Sequence, residues 1–224
     1  VHMRVIVACA GSQVKWGNYL GIPSHFAPVR VSEDSEDREP LIHRTLRQVA
    51  KYTQPGEVVL TAPAGDGRYW LGGVTVYAGV GASEFHSTHS LWSTTERTVL
   101  LLGDVYFSDL AMRKILTPTV GREYRAFGRH GASNVTHTPY GELFAHSWWP
   151  ENIPEIEGHM EHVDQARAQG ILRPHGWMLL RSFQGDPLNR HIVKPRYFTE
   201  ISDWTDDIDY PEDFERHPAT KGYT

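Results

Sequence analysis

Along the first half of the chain, short apolar runs alternate with segments whose apolar positions recur at helical spacing. The run MRVIVACAG from Met3 ends in small residues, the pattern of a buried strand feeding a loop. A charged stretch, SEDSEDREP, follows as a loop. Leu41, Ile42, Leu46, Val49 and Ala50 then mark one face of a helix that Pro55-Gly56 stops. EVVLTAP from Glu57 and GVTVYAGV from Gly73 read as the second and third strands. STHSLWST from Ser87 reads as a short helix, and Thr98 to Leu102 as a buried strand. SDLAMRKIL is amphipathic, with Ser108 as its N-cap. Beyond Ile115 the pattern loosens. EYRAFG and GELFAHSWW read as strands, and EIEGHMEHVDQARAQG as a helix closed by Gly170. HGWMLLRSFQG has no clear period, and FTEISDWTDDIDYPEDFERH closes the chain.

Alternating strands and helices predict an α/β fold with a mostly parallel sheet flanked by helices. A single domain over 3–224 is expected, with a regular half of about 3–116 and a looser half of about 117–224. Val1 and His2, ahead of Met3, are set aside as a cloning remnant.

Composition is ordinary for a globular chain: 224 residues, 40% hydrophobic and 22% charged. No apolar run is long enough to span a membrane, and Val5 to Ala10 is too short for a signal peptide. Cys9 is the only cysteine, which excludes an intrachain disulfide and a cysteine zinc site and fits a reducing, cytoplasmic setting. The net charge is −5, but it is uneven. Arg113, Lys114, Arg122, Arg125 and Arg129 cluster against Glu123 alone, whereas Glu200 to Glu215 carries eight acids and no base. The basic stretch is either a solvated face or a surface for phosphate.

Asp104 follows a buried strand directly after Gly103. Aspartate is unfavourable in strand interiors, and a buried charge needs a partner or a metal. It is therefore either a turn residue or a ligand-binding carboxylate at the carboxyl end of a strand, where open α/β sheets bind their ligands.

The first strand ending in ACAG, then PSHFAPV, LIHRTLRQV, the strand LLLGDVYFSD and the late TDDIDYPEDFER together resemble the nucleotidyltransferase-like superfamily, which shares its Rossmann-like fold with GT-A glycosyltransferases. The resemblance spans Met3 to Arg216. It implies that the loop after the first strand, with Ala10, Gly11, Ser12 and Lys15, wraps a nucleotide. It also implies that Asp104, Asp207 and Asp209 hold Mg²⁺ or Mn²⁺ against a diphosphate, oxygen ligands suiting such hard cations. Catalysis is expected of Asp104 and Lys15. Ser87 and Ser90 stand where the family reads the base or ribose.

The chain also departs from that pattern. The loop's second glycine is Gln13, its arginine is Lys15, and the following Pro-Lys pair is Pro23-Ser24, with His25 as the nearest substitute cation. Positioned cations carry much of the catalysis in phosphoryl transfer. Kept aspartates with depleted cations favour a metal-dependent glycosyltransferase that uses a nucleotide-sugar donor. The alternatives are a sugar-1-phosphate nucleotidyltransferase and a nucleotide-binding module without catalysis.

Glu142 reads either as a base acting on the acceptor or as a strand-edge residue. Trp148 is either a stacking platform or core. Arg122, Arg125 and Arg129 with Trp148 make a large anionic acceptor, modified-base DNA, the expected partner. His159 and His162 share a helix face and could join His146 and His175 around a metal; exposed helix histidines are the simpler reading.

Overall fold

The computed structural model describes residues 2–117 and 121–223. The chain runs through β1 (Met3–Ala8), β2 (Pro28–Arg30), β3 (Arg38–Pro40), α1 (Leu41–Val49), β4 (Val58–Ala62), β5 (Thr75–Ala78) and α2 (Glu84–Thr88). There follow β6 (Arg97–Leu102), β7 (Val105–Tyr106), α3 (Asp109–Leu116), β8 (Arg125–Arg129), β9 (Glu142–Trp148) and α4 (Ile153–Ala168). The last elements are α5 (His175–Gln184), β10 (Phe198–Glu200), β11 (Asp206–Asp207) and α6 (Pro211–Arg216). Seven strands form one sheet in the order β10-β8-β9-β6-β1-β4-β5. All run parallel except β9, which is antiparallel to both β6 and β8.

Strands covered on both faces explain the unbroken apolar runs. Val5 and Val7 of β1, with Val99 and Leu101 of β6, pack with Ile42 and Val49 of α1 and Met112 and Ile115 of α3. The intervening Ile6 and Leu100 point the other way, to Phe85 of α2, Ile156 of α4 and Leu179, Leu180 and Phe183 of α5. The two-residue period of a strand thus sorts one sequence into two cores.

Ser108 caps α3 as expected, its hydroxyl accepting from the Ala111 N–H at 2.9 Å. The helix expected from Ser87 begins earlier, at Glu84, because Ser83 caps it by accepting from the Phe85 and His86 N–H groups; a 3-10 turn over His89–Leu91 finishes it. The segment without a clear period is α5, where every residue from Gly176 to Phe183 is buried. Among the described residues, no helix is long and apolar enough to cross a membrane.

Candidate nucleotide and metal site

The chain leaves β1 for β4 and β5 on one side and returns to β6 on the other. β1 and β6 are neighbours with Ala8 opposite Leu102, so their carboxyl ends open a crevice at the switch point of the sheet. Gly103 is required there. Its N–H donates to the Ala8 carbonyl at 2.9 Å, and a Cβ would stand 2.8 Å from that carbonyl oxygen and collide with Cys9 Sγ. Asp104 follows at the mouth of the crevice.

Three further carboxylates reach Asp104 from distant sequence. The Ile208 N–H donates to the Asp104 carbonyl at 2.8 Å. The antiparallel β7–β11 pair sets Asp207 opposite Val105, which brings Asp207 and Asp209 alongside. Continuing the β6–β9 register past Leu101 and Ala145 brings Glu142 level with Asp104. The charges repel one another strongly. Burial, then Asp209, raises the Asp104 carboxyl from its ordinary 3.8 to about 7. Burial, then Asp206, Asp209 and Asp104, raises Glu142 to about 8. Burial, then Glu142, Asp209 and Asp104, pushes Asp207 well above the carboxylate range. Carboxylates held close together are a donor set that a hard divalent cation fits, and the group whose oxygens meet does not include Asp104. Oxygens of Asp207, Asp209 and Asp213 lie within 4.8 Å of one another. Asp213 is also structural, accepting from the Tyr210 N–H at 2.9 Å at the start of α6.

The crevice holds a cavity of about 450 Å³, bounded by Ala8, Ala10, Gly11, Ser12, Ser87 and Asp104 and walled by the 81–84 loop and His175. That volume suits a nucleotide-sized ligand. An adjoining cavity of about 340 Å³ is lined by Ser12 to Lys15, Asp104 and Asp209. Asp104 borders both.

Ala10, Gly11, Ser12, Lys15, Ser87, Asp104 and Asp209 therefore assemble at the two cavities. Lys15 reaches Asp209 with Nζ–Oδ2 at 2.7 Å. Ser90 is exposed and borders neither cavity. Gln13 bridges the loop, its Oε1 accepting from the Ser24 N–H at 2.7 Å. His25 is no substitute cation: burial lowers it to about 4, and its Nδ1 meets the Tyr69 hydroxyl at 2.7 Å. Lys15 is thus the one charged base among the described residues that line the two cavities. Glu84 and His175, on the cavity wall, were not expected at the nucleotide site; Ser83, the N-cap of α2, is the one local signal for that wall.

Two of the four expected acceptor residues, Arg129 and Trp148, are buried. Arg129 is 2% exposed and its guanidinium donates to Asp206 at 3.1 and 3.4 Å. Trp148 is fully buried between Phe85 and Trp92. Arg125 donates to the Arg196 and Phe198 carbonyls, and Arg122 pairs with Glu151 and lies over the Trp149 ring. Arg125 borders a cavity with Arg97 and Ser147, at the amino ends of β6 and β8 and the opposite end of the sheet from Asp104. Residues 118–120 of the basic stretch lie outside the described residues. The four-histidine arrangement is absent too. His159 and His162 both meet Ser182 Oγ, at 2.6 and 2.9 Å, and His146 is buried against the Tyr124 hydroxyl.

No protein-family model and no curated protein sequence matches the chain. Solved structures do. A Bacillus anthracis protein assigned as a glucose-1-phosphate thymidylyltransferase, in complex with a sucrose, is 13% identical with a TM-score of 0.61, over 99% of this chain and 96% of that one. The 2-C-methyl-D-erythritol 4-phosphate cytidylyltransferase of Thermus thermophilus is 15% identical with a TM-score of 0.56, over 95% of each chain. The inositol-1-phosphate CTP transferase of T. maritima is 14% identical with a TM-score of 0.54, over 95% of this chain and 92% of that one. With its mostly parallel sheet and reversed β9, the chain has the α/β, Rossmann-type fold of these proteins.

Proposed function

We propose that the chain is a nucleotidyltransferase that joins a nucleoside triphosphate to a phosphomonoester, a sugar 1-phosphate being the first candidate. The observation that carries this is a group of carboxylates, Asp104, Asp207, Asp209 and Glu142, of which Asp104 borders a nucleotide-sized cavity and Asp104 and Asp209 border the cavity adjoining it. The names of the three similar structures given above, a thymidylyltransferase, a cytidylyltransferase and a CTP transferase, each with a phosphorylated small molecule in its name, support it over glycosyl transfer.

In this reading a phosphate oxygen of the acceptor attacks the α-phosphorus, the bond from that phosphorus to the bridging oxygen breaks, and pyrophosphate leaves. Gly11 and Ser12 line the nucleotide's cavity, and Lys15 offers its ammonium to phosphate oxygens as a point charge. Asp104, Asp207 and Asp209 would hold Mg²⁺ or Mn²⁺, and the ion would supply positive charge against the phosphates. A phosphomonoester is already ionised near neutral pH, so Glu142 is not needed as a base and serves as a further carboxylate of the cluster. The cation-poor loop is the feature that favours glycosyl transfer, where the diphosphate is already made and Glu142 would take a proton from the acceptor. The anionic-polymer acceptor has no support from the placement of Arg129 and Trp148.

The test is pyrophosphate release from each nucleoside triphosphate with a panel of sugar 1-phosphates and Mg²⁺. The expected result is one productive pair, with Asp104→Asn slower by about 100-fold or more. Turnover of a nucleotide sugar with no pyrophosphate release from any pair would overturn the proposal in favour of glycosyl transfer.

A further inference from the structure

His175, left over from the histidines considered along the sequence, meets different partners in the fold. It opens α5, and ligand atoms of His86 on α2, Asp164 on α4 and His175 lie within 4.8 Å of one another. His86 Nε2 is 2.8 Å from Asp164 Oδ2. All three residues line a small cavity of about 10 Å³, about the room one ion or water needs.

We propose that His86, Asp164 and His175 form a transition-metal site for Zn²⁺, separate from the acidic cluster, that pins the wall of the nucleotide cavity to α4 and α5. Two imidazoles and a carboxylate are a donor set for borderline cations, and a tetrahedral zinc site of this kind takes water in its fourth position. The His86 imidazole is prepared for ligation. His86 Nδ1 lies 2.7 Å from Ser83 Oγ, and that hydroxyl also accepts from the Phe85 and His86 N–H groups. With Nε2 on the metal in place of its contact with Asp164, Nδ1 would donate to Ser83 Oγ, the kind of outer partner that orients a metal-bound histidine. Ligands ~2 Å from a tetrahedral ion stand ~3.3 Å apart, so the three side chains, whose ligand atoms lie within 4.8 Å of one another, would draw in around the ion. Ser83 and His175 line both this pocket and the 450 Å³ cavity. Bound metal therefore braces one side of the nucleotide pocket.

The test treats the purified full chain with a chelator and titrates it with ZnCl₂ in millimolar Mg²⁺, which occupies the acidic cluster. Zinc per chain is read by elemental analysis after gel filtration, and geometry by the visible absorption of the Co²⁺ form. One zinc per chain with a tetrahedral Co²⁺ spectrum is expected. Asp164→Asn and His86→Ala, checked for folding by circular dichroism, should each weaken zinc binding at least 10-fold, and Ser83→Ala about 10-fold. Asp104→Asn should keep the full zinc stoichiometry, so failure here is distinct from failure of the nucleotidyl reading. No stoichiometric zinc, or zinc retained unchanged by Asp164→Asn and His86→Ala, would overturn the site.

Discussion

Replacing Arg129 by methionine distinguishes a buried structural cation from a surface that greets an anionic acceptor. In the fold its guanidinium donates to the Gly131 carbonyl at 2.9 Å, the Tyr140 carbonyl at 3.2 Å and Asp206 at 3.1 and 3.4 Å. Asp206 is 1% exposed. Removing one partner of a buried pair costs about 3–5 kcal/mol, because the other charge is stranded. Asp206 keeps the hydroxyls of Thr136 and Thr138 and the Asp207 N–H, which sets the loss near the lower end, about 3 kcal/mol. For a chain of this size that lowers Tm by roughly 6–12 °C. Urea unfolding at pH 7 reads the loss directly. Adding Asp206→Asn should recover at least about 1 kcal/mol, since the two sites are coupled. Arg122→Met, the same change in an exposed pair, should leave the unfolding midpoint in place. An Arg129→Met protein as stable as wild type would refute the buried pair, and a selective loss of binding to anionic polymers would restore the acceptor surface.

The acidic cluster makes a pH prediction. A carboxyl whose pKa is raised on folding costs nothing below about pH 4, and the cost grows as pH rises through about 7. In chelator, wild type should therefore lose stability between pH 5 and pH 8, and Asp104→Asn should lose about 1–2 kcal/mol less, allowing for the hydration this half-buried group keeps; equal thermal-melt slopes would contradict this. Gly103→Ala should cost about 1–3 kcal/mol in urea unfolding by overpacking Cys9 and the Ala8 carbonyl, and an unchanged midpoint would exclude the close approach. Trp148→Ala should cost about 3–5 kcal/mol by opening the core, whereas loss of acceptor binding with unchanged stability would make it a stacking platform.

Much of the fold was legible because local rules carry it. The apolar runs of β1, β4 and β6 need cover on both faces, and the helical spacing of Leu41 to Val49 and the Ser108 cap operate within a few residues. The same holds for the loop from Ala10 to Lys15, whose place follows from ending a central strand. Asp104 was legible as a question, since a carboxylate after a buried strand is costly without a purpose. α5 was not legible, because a helix buried all round has no polar face and hence no period to read. The early start of α2 was missed because one serine, Ser83, supplies its cap.

By itself, then, the sequence determined most of the segments that become strands and helices, and that the sheet is mostly parallel. Those properties follow from periodicity and capping over short distances. Tertiary structure alone decided which charges are free and which are spent. Arg129 and Asp206 are 77 residues apart, and a charge count cannot tell a solvated arginine from one locked in the core. Asp207 and Asp209 reach Asp104 only through the β7–β11 register, and His86, Asp164 and His175 meet only because three helices pack on one face of the sheet. Burial and long-range register are properties of the packed chain, and no local pattern encodes them.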